Sequence, residues 1–222
     1  DNSDISNQKE FIHHYINNES LSFSATSLSL YDSCPLAYKY KMLDRLKVEG
    51  YSPEAAFGIF VHNIFEKIFT SSNSDHVIVK KIIDEEWDDS YFENSTQSSE
   101  YKKEADALIL SYFKDNPVDE TSSYILEKEF SVFMNDVEYR GKIDRIDILE
   151  DGDIQIIDYK TSNKKKTAKA IKKDIQLPYY FFLLSRSKQE NGFNSIKSAK
   201  LEYLKHPGDP SVEIKLDYED IL

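Results

Sequence analysis

The stretch 138–161, EYRGKIDRIDILEDGDIQIIDYKT, constrains this chain more than any other. Two β-rich runs meet at Asp151-Gly152, a dipeptide that supplies the φ > 0 residue a tight hairpin connection needs, so the stretch reads as a β-hairpin. Side chains alternate faces along a strand. Asp158 and Lys160 therefore share one face, and Tyr159 points into the opposite layer. Loop length decides where Asp144, on the first arm, must lie. With Asp151-Gly152 as a two-residue loop, Asp144 sits opposite Tyr159 and faces away from Asp158. With Glu150-Asp151-Gly152 as a three-residue loop and Gly152 in the left-handed position of a G1 bulge, Asp144 sits directly opposite Asp158. We expect the three-residue loop, because it brings two carboxylates and a lysine together. Two carboxylates converging on one point bind a hard divalent cation such as Mg²⁺ or Mn²⁺.

The motifs come in a recognisable order. GKIDRID is followed, fourteen residues after its Asp144, by IIDYKTS and then by QLPYY. In this ordered set the chain resembles the RecB-like branch of the PD-(D/E)XK nucleases, in which a GxxDxxD segment, a DYK segment and a downstream QLxxY helix make up the catalytic centre. The resemblance implies an α/β fold with a restriction-endonuclease-like core, a central mixed β-sheet flanked by helices, here with an N-terminal helical cover. It also implies metal-dependent hydrolysis of DNA phosphodiester bonds. Asp144, Asp158, Lys160, Gln176 and Tyr180 are the implied catalytic residues. His62, Asp144, Asp158 and the Tyr159 carbonyl are the implied ligands of Mg²⁺ or Mn²⁺. In that scheme Lys160 positions and deprotonates the attacking water and then offsets charge in the transition state, while Gln176 and Tyr180 fix substrate or Lys160.

Relatives in this branch are commonly the C-terminal parts of UvrD/Rep-type helicase-nucleases, or AddB-like subunits, acting in DNA repair and recombination. The implied partners are DNA, as single strands or duplex ends, and a helicase motor in the same polypeptide or complex. The implied setting is cytoplasmic, at the nucleoid when acting. No Walker A motif occurs here, so any ATP-driven motor lies upstream or on a partner. The rival readings are a catalytically idle DNA-binding or scaffolding module of the same fold, and an unrelated α/β protein in which Asp158 and Lys160 form a structural ion pair. An idle site has no physical reason to keep a buried lysine beside two carboxylates.

Upstream, residues 1–20 read as a linker with a short amphipathic helix, and 21–222 as one nuclease domain, helical over 21–116, with the catalytic sheet and helix over 117–222. Ser24 or Thr26 can cap a first helix carrying Leu28, Tyr31, Cys34 and Tyr38. Tyr38, Lys39, Tyr40, Lys41 and Arg45 could stack on bases and touch phosphates, although core packing serves Tyr31 and Tyr38 equally well. A second helix, PEAAFGIFVHNIFEKIF, starts at Pro53 and is apolar around most of its circumference, so it should be largely buried. Gly58 lets it approach another backbone, and His62, one turn on, could then reach the hairpin. The GxxxHxxxE pattern of Gly58, His62 and Glu66 is similar to the helix that supplies a metal-binding histidine in RecB-like nucleases. Imidazole suits Mn²⁺ and is tolerated by Mg²⁺. Glu66 either orients a ligand or faces water.

Two further helical patterns over 75–116 should turn Val77, Ile78, Ile82, Trp87, Leu108, Leu110 and Phe113 inward. The strand TSSYILEKEFSVFM follows, turning at Asn135-Asp136. Relatives often carry a glutamate just before the core strands; Glu127 and Glu129 share a face, so the residues leave the role open, and an exposed strand position remains the other reading. Pro178 is tolerable only in a first helical turn, which places the start of the QLPYY helix near Ile175.

A formal charge of −12 argues against a protein that coats nucleic acid through its overall charge, so DNA binding must be local. Lys164, Lys165, Lys166 and Lys169 crowd behind the DYK segment and are the candidate phosphate contacts; the alternative is a solvated loop and helix start. The single cysteine, Cys34, excludes an internal disulfide and any zinc or iron-sulfur site built from this chain's cysteines alone. Many relatives carry an iron-sulfur staple of one cysteine before the nuclease core and three after it. Cys34 matches the first, the later three are absent, and no iron-sulfur cluster is expected. No apolar run approaches the roughly 20 residues that span a bilayer, and the polar start is no secretion signal, so no membrane partner is expected. The missing initiator Met fits a domain cut from a longer polypeptide, and processing of the chain would do the same.

Overall fold

The computed structural model describes residues 21–46 and 52–215; the helix expected over 1–20 lies outside them. In chain order, β1 (Ser22–Phe23) leads into α1 (Ala25–Ser33) and the short α2 (Pro35–Tyr38), which continues as a wider turn over Lys39–Leu43. Three helices follow: α3 (Pro53–Ser71), α4 (His76–Glu86) and α5 (Ser95–Asp115). The second half holds β2 (Ser123–Met134), β3 (Val137–Ile148), β4 (Ile154–Lys160), α6 (Ala168–Lys172), α7 (Gln176–Asn191), β5 (Ile196–Tyr203) and β6 (Ser211–Ile214). Helix starts follow from capping chemistry. The Ser24 side chain accepts from Ser27 N–H while Ser27 reaches back to Ser24 N–H, and Ser52 accepts from Ala55 N–H ahead of Pro53.

Six strands form one mixed sheet with β3 as its spine. β2 runs antiparallel along the length of β3, joined through Asn135 and Asp136, whose φ values of +50° and +63° give the left-handed pair of a two-residue turn. The other edge of β3 pairs in two separate places. Its start takes β1 in parallel at Glu138 and Tyr139; its end takes β4 antiparallel from Arg145 onward. β4 then pairs in parallel with β5 across a helical crossover, and β6 closes that edge antiparallel. β1 is a short strand inside the stretch expected to be helical. It exists because β3 is longer than β4 can cover.

Between these two pairings, α7 packs against β3. A Cβ on Gly141 would stand 2.7 Å from Leu183 Cδ1 and 3.5 Å from Tyr180 Cε1, so glycine lets α7 lie against the strand. The Tyr179 hydroxyl lies 2.8 Å from the Phe23 carbonyl and 3.1 Å from that of Arg140, serving backbone groups at the seam.

Each face of the sheet carries its own core. Ile146, Ile154 and Ile156 pack with α7 and Ala25 of α1. Ile157 and Tyr159 pack with Val61, Phe65 and Ile68 of α3 and with Ile109 and Phe113 of α5. This is the expected alternation along β4, with Tyr159 in the layer opposite Ile156. The helical cover departs from expectation at α4. Val77 and Ile78 are 71% and 36% exposed, and Val79 and Ile83 are fully buried instead. Residues 79 and 83 lie four apart and so form one stripe; the run HVIVKKII offers apolar residues to more than one stripe, and packing against α3 and α5 selects this one.

Candidate active site

The site lies where β3 and β4 part. Their ladder ends at Arg145 opposite Ile157, and the same register carried one step outward sets Asp144 opposite Asp158. The turn is the three-residue loop expected from the sequence: Leu149 N–H bonds the Asp153 carbonyl at 2.8 Å, Gly152 N–H bonds the Leu149 carbonyl at 2.9 Å, and Gly152 has φ +79°. Beyond the ladder's end, Tyr159 N–H donates instead to Asp144 Oδ2 at 2.9 Å.

Glu127 joins from the other side. The β2–β3 register places it across from Asp144, between the pairs Leu126–Arg145 and Lys128–Ile143. Glu127, Asp144 and Asp158 thus form a row across three strands. The pleat is broken here. Ile143 and Ile146, three apart, pack into the same core, as do Ile125 and Phe130, five apart. Glu127 takes up the break with φ +46°, a strained backbone for a residue with a side chain.

His62 is delivered by α3. Gly58 permits the approach, since a Cβ there would already be 3.4 Å from Thr161 Oγ1. His62 Nε2 is 3.1 Å from the Tyr159 carbonyl, and Nδ1 is 3.4 Å from Asp144 Oδ1 and 3.9 Å from Glu127 Oε1. An Nε2–H donated to the carbonyl leaves the Nδ1 lone pair facing two carboxylates. One ligand atom each from His62, Glu127 and Asp144 lie within 4.8 Å of one another, a geometry that could hold a metal ion. Electrostatics agree with that reading. Burial, then the charge of Asp144, hold the Glu127 carboxyl above its ordinary range, against the opposing pull of Lys142 2.7 Å from Oε2. Burial lowers the His62 pKa, but the hydrogen bond and charge of Asp144, with Asp158 and Glu127, outweigh it and raise it overall. Crowded negative charge of this kind is what a divalent cation relieves, and one imidazole with two carboxylates is a donor set such an ion accepts.

Asp158, beside this group, has a second set of partners. Only 2% exposed, it accepts from Gln176 Nε2 at Oδ1 (2.8 Å), and Oδ2 pairs with Lys160 Nζ at 2.6 Å. Gln176 holds the group together: Oε1 accepts from Lys160 at 2.8 Å, and Nε2 lies 3.1 Å from the Tyr180 hydroxyl. Burial and the Asp144 charge push the Asp158 carboxyl up. Burial lowers the Lys160 pKa, but the charges of Asp158 and Asp144 outweigh it and raise it overall. Burial likewise holds the Tyr180 phenol protonated.

The residues singled out in the sequence therefore fall into two adjoining groups, His62 and Asp144 around Glu127, and Asp158, Lys160 and Tyr180 around Gln176. Glu127 is the residue that sequence reasoning left open, and Glu129 is exposed. Of the lysines, Lys164 and Lys166 line a cavity that Lys160 and Gln176 share; Lys166 pairs with Asp174, Lys165 with Asp209, and Lys169 is exposed on α6.

The family model of the PD-(D/E)XK nuclease superfamily matches residues 22–219, which contain both groups. The chain belongs to the PD-(D/E)XK nuclease superfamily. It is 28% identical over 159 residues to an ATP-dependent helicase/deoxyribonuclease subunit of Streptococcus uberis, an alignment covering 67% of this chain and 14% of that protein. The chain thus spans a small part of that relative's length. In fold it is similar to a candidate exonuclease from Eubacterium rectale, with a TM-score of 0.52, 15% identity, and coverage of 91% of this chain and 75% of the other. The architecture is accordingly that of a restriction-endonuclease-like nuclease. No helix among the described residues is long and apolar enough to cross a membrane.

Proposed function

We propose that this nuclease domain hydrolyses DNA phosphodiester bonds with the help of Mg²⁺ or Mn²⁺, and that it works with a helicase motor in DNA repair and recombination. One observation carries the reading: His62, Glu127 and Asp144 offer ligand atoms within 4.8 Å of one another, and the Lys160 ammonium stands on the adjoining strand position. His62 Nδ1, Glu127 and Asp144 would hold the ion, with Asp158 and the Tyr159 carbonyl next to them on β4. A bound divalent cation supplies Lewis-acid polarisation of a phosphate oxygen and a lower pKa for water.

The chain's own groups do the rest. Lys160 positions the attacking water and offsets negative charge that builds on the phosphoryl oxygens. Gln176 fixes the Lys160 ammonium from one side and Asp158 from the other. His62 is held in one orientation by the Tyr159 carbonyl. Lys164 and Lys166 add local phosphate contacts to a chain whose overall charge repels DNA, which makes binding strongly salt-dependent. The choice of DNA, and the helicase partner, rest on the family resemblance and on the name of the streptococcal relative.

Incubation with single-stranded DNA and with blunt duplex ends, in Mg²⁺, in Mn²⁺ and in EDTA, tests this. Cleavage with either ion and none in EDTA is the expected result. Binding without cleavage in both ions would favour the idle module, and cleavage undiminished by EDTA would rule out a role for the metal.

A further inference from the structure

A cavity of 590 Å³ opens against Lys160 and Gln176, walled by α1 and by the segment that follows β4. Thr26 and Ser29, one helical turn apart on α1, line it, as do Lys164 and Lys166. Among the described residues neither hydroxyl has a hydrogen-bond partner, and the Lys164 ammonium makes no ion pair. The acidic group in the wall, Asp174, is already engaged, by Lys166 and by Gln176 N–H at 3.2 Å. What remains is a set of unused donors around a space within the about 300–1,000 Å³ of small-ligand clefts.

We propose that this cavity is a phosphate subsite for the nucleotide next to the scissile bond, with Thr26, Ser29 and Lys164 as its anchors. A phosphodiester only accepts hydrogen bonds, and a wall offering two hydroxyls and an unpaired ammonium is complementary to it. Lys160 belongs to both the cavity and the catalytic group, so an occupant of the cavity lies beside the reacting phosphate. The inference rests on the nuclease reading and extends it: α1, which carries none of the catalytic motifs, helps hold the strand, adding binding shared by the ground state and the transition state.

Thymidine 3′,5′-bisphosphate is a direct probe, since its two phosphates are one nucleoside apart, and the 3′- and 5′-monophosphates each lack one. In calorimetric titrations with Mg²⁺ present, the bisphosphate is expected to bind about tenfold more tightly than either monophosphate. In the triple variant T26V/S29A/K164Q that gain should shrink to about twofold or less, and KM for single-stranded DNA should rise about tenfold with kcat nearly kept, the pattern of lost uniform binding. Should the triple variant lose its cooperative melt, Lys164→Gln alone carries the comparison, with about a threefold loss of the gain. Equal binding of all three nucleotides by the unaltered chain, or a gain that survives in the variants, overturns the proposal. Failure of the nuclease reading shows elsewhere, as absent DNA cleavage by the unaltered chain, and leaves the nucleotide comparison to decide the subsite.

Discussion

Asp144→Asn is expected to lower DNA cleavage by a factor of about 10³ while leaving the melting temperature at or above that of the unaltered chain. Asp144 touches every part of the first group: it accepts from Tyr159 N–H at 2.9 Å, faces His62 Nδ1 at 3.4 Å, and lies across from Glu127. Asparagine keeps an acceptor for the Tyr159 amide, so the strand end stays satisfied. It removes one charge from a crowded site, which relieves the repulsion that raises Glu127 and Asp158. Residues that bind and react are often held at a cost to stability, and removing one commonly gains some back. Initial rates on single-stranded DNA and a thermal melt measure the two halves. The increase in melting temperature on adding Mn²⁺ should shrink as well, because a ligand stabilises only the state that binds it. An Asn variant retaining a tenth or more of the parental rate would contradict the assignment.

Lys160→Ala should lower cleavage by about 10²–10³ and also destabilise the fold. The lysine is the cation for a carboxylate that is 2% exposed, and breaking such a pair by removing one partner costs about 3–5 kcal/mol. The penalty depends on pH with a definite sign. Burial and Asp144 already hold the Asp158 carboxyl above its ordinary value, and losing Lys160 lifts it further. A group that binds more protons folded than unfolded makes folding more favourable as pH falls. The penalty is therefore smallest below the ordinary aspartate value of about 3.9 and grows as pH rises through the folded one. Chemical denaturation at pH 5 and pH 8 should show the variant closer to its parent at pH 5. A gap that widens toward acid would mean that Asp158 is not the group left uncompensated.

Much of this site was legible in the chain because its geometry is set locally. Glu150-Asp151-Gly152 fixes the hairpin register within a few residues, and the register alone sets Asp144 against Asp158. Gly58 and His62 are one turn apart on a single helix, so a missing side chain and a reaching one could be read together. Glu127 was harder, because a period of two treats 127 and 129 alike. The break in the pleat at Glu127, with φ +46°, is a strain imposed by tertiary structure and leaves no mark in composition. A second signal does exist: the Asn135-Asp136 turn pairs Met134 with Val137, and counting back from it sets Glu127, not Glu129, against Asp144. The inward face of α4 was ambiguous for a different reason, since apolar residues at 77, 78, 79, 82 and 83 leave the choice of stripe to the neighbouring helices. The Gln176 network was visible only as a motif. Which amide atom meets Lys160 and which meets Asp158 follows from how α7 docks on β3.

The most direct test is a crystal of the chain soaked in Mn²⁺, read by anomalous scattering from the ion. A single strong peak is expected within bonding distance of His62 Nδ1, Glu127 and Asp144, with Lys160 still held by Gln176. A peak elsewhere, or bound Mn²⁺ that leaves His62 and Glu127 untouched, would contradict the proposed metal site.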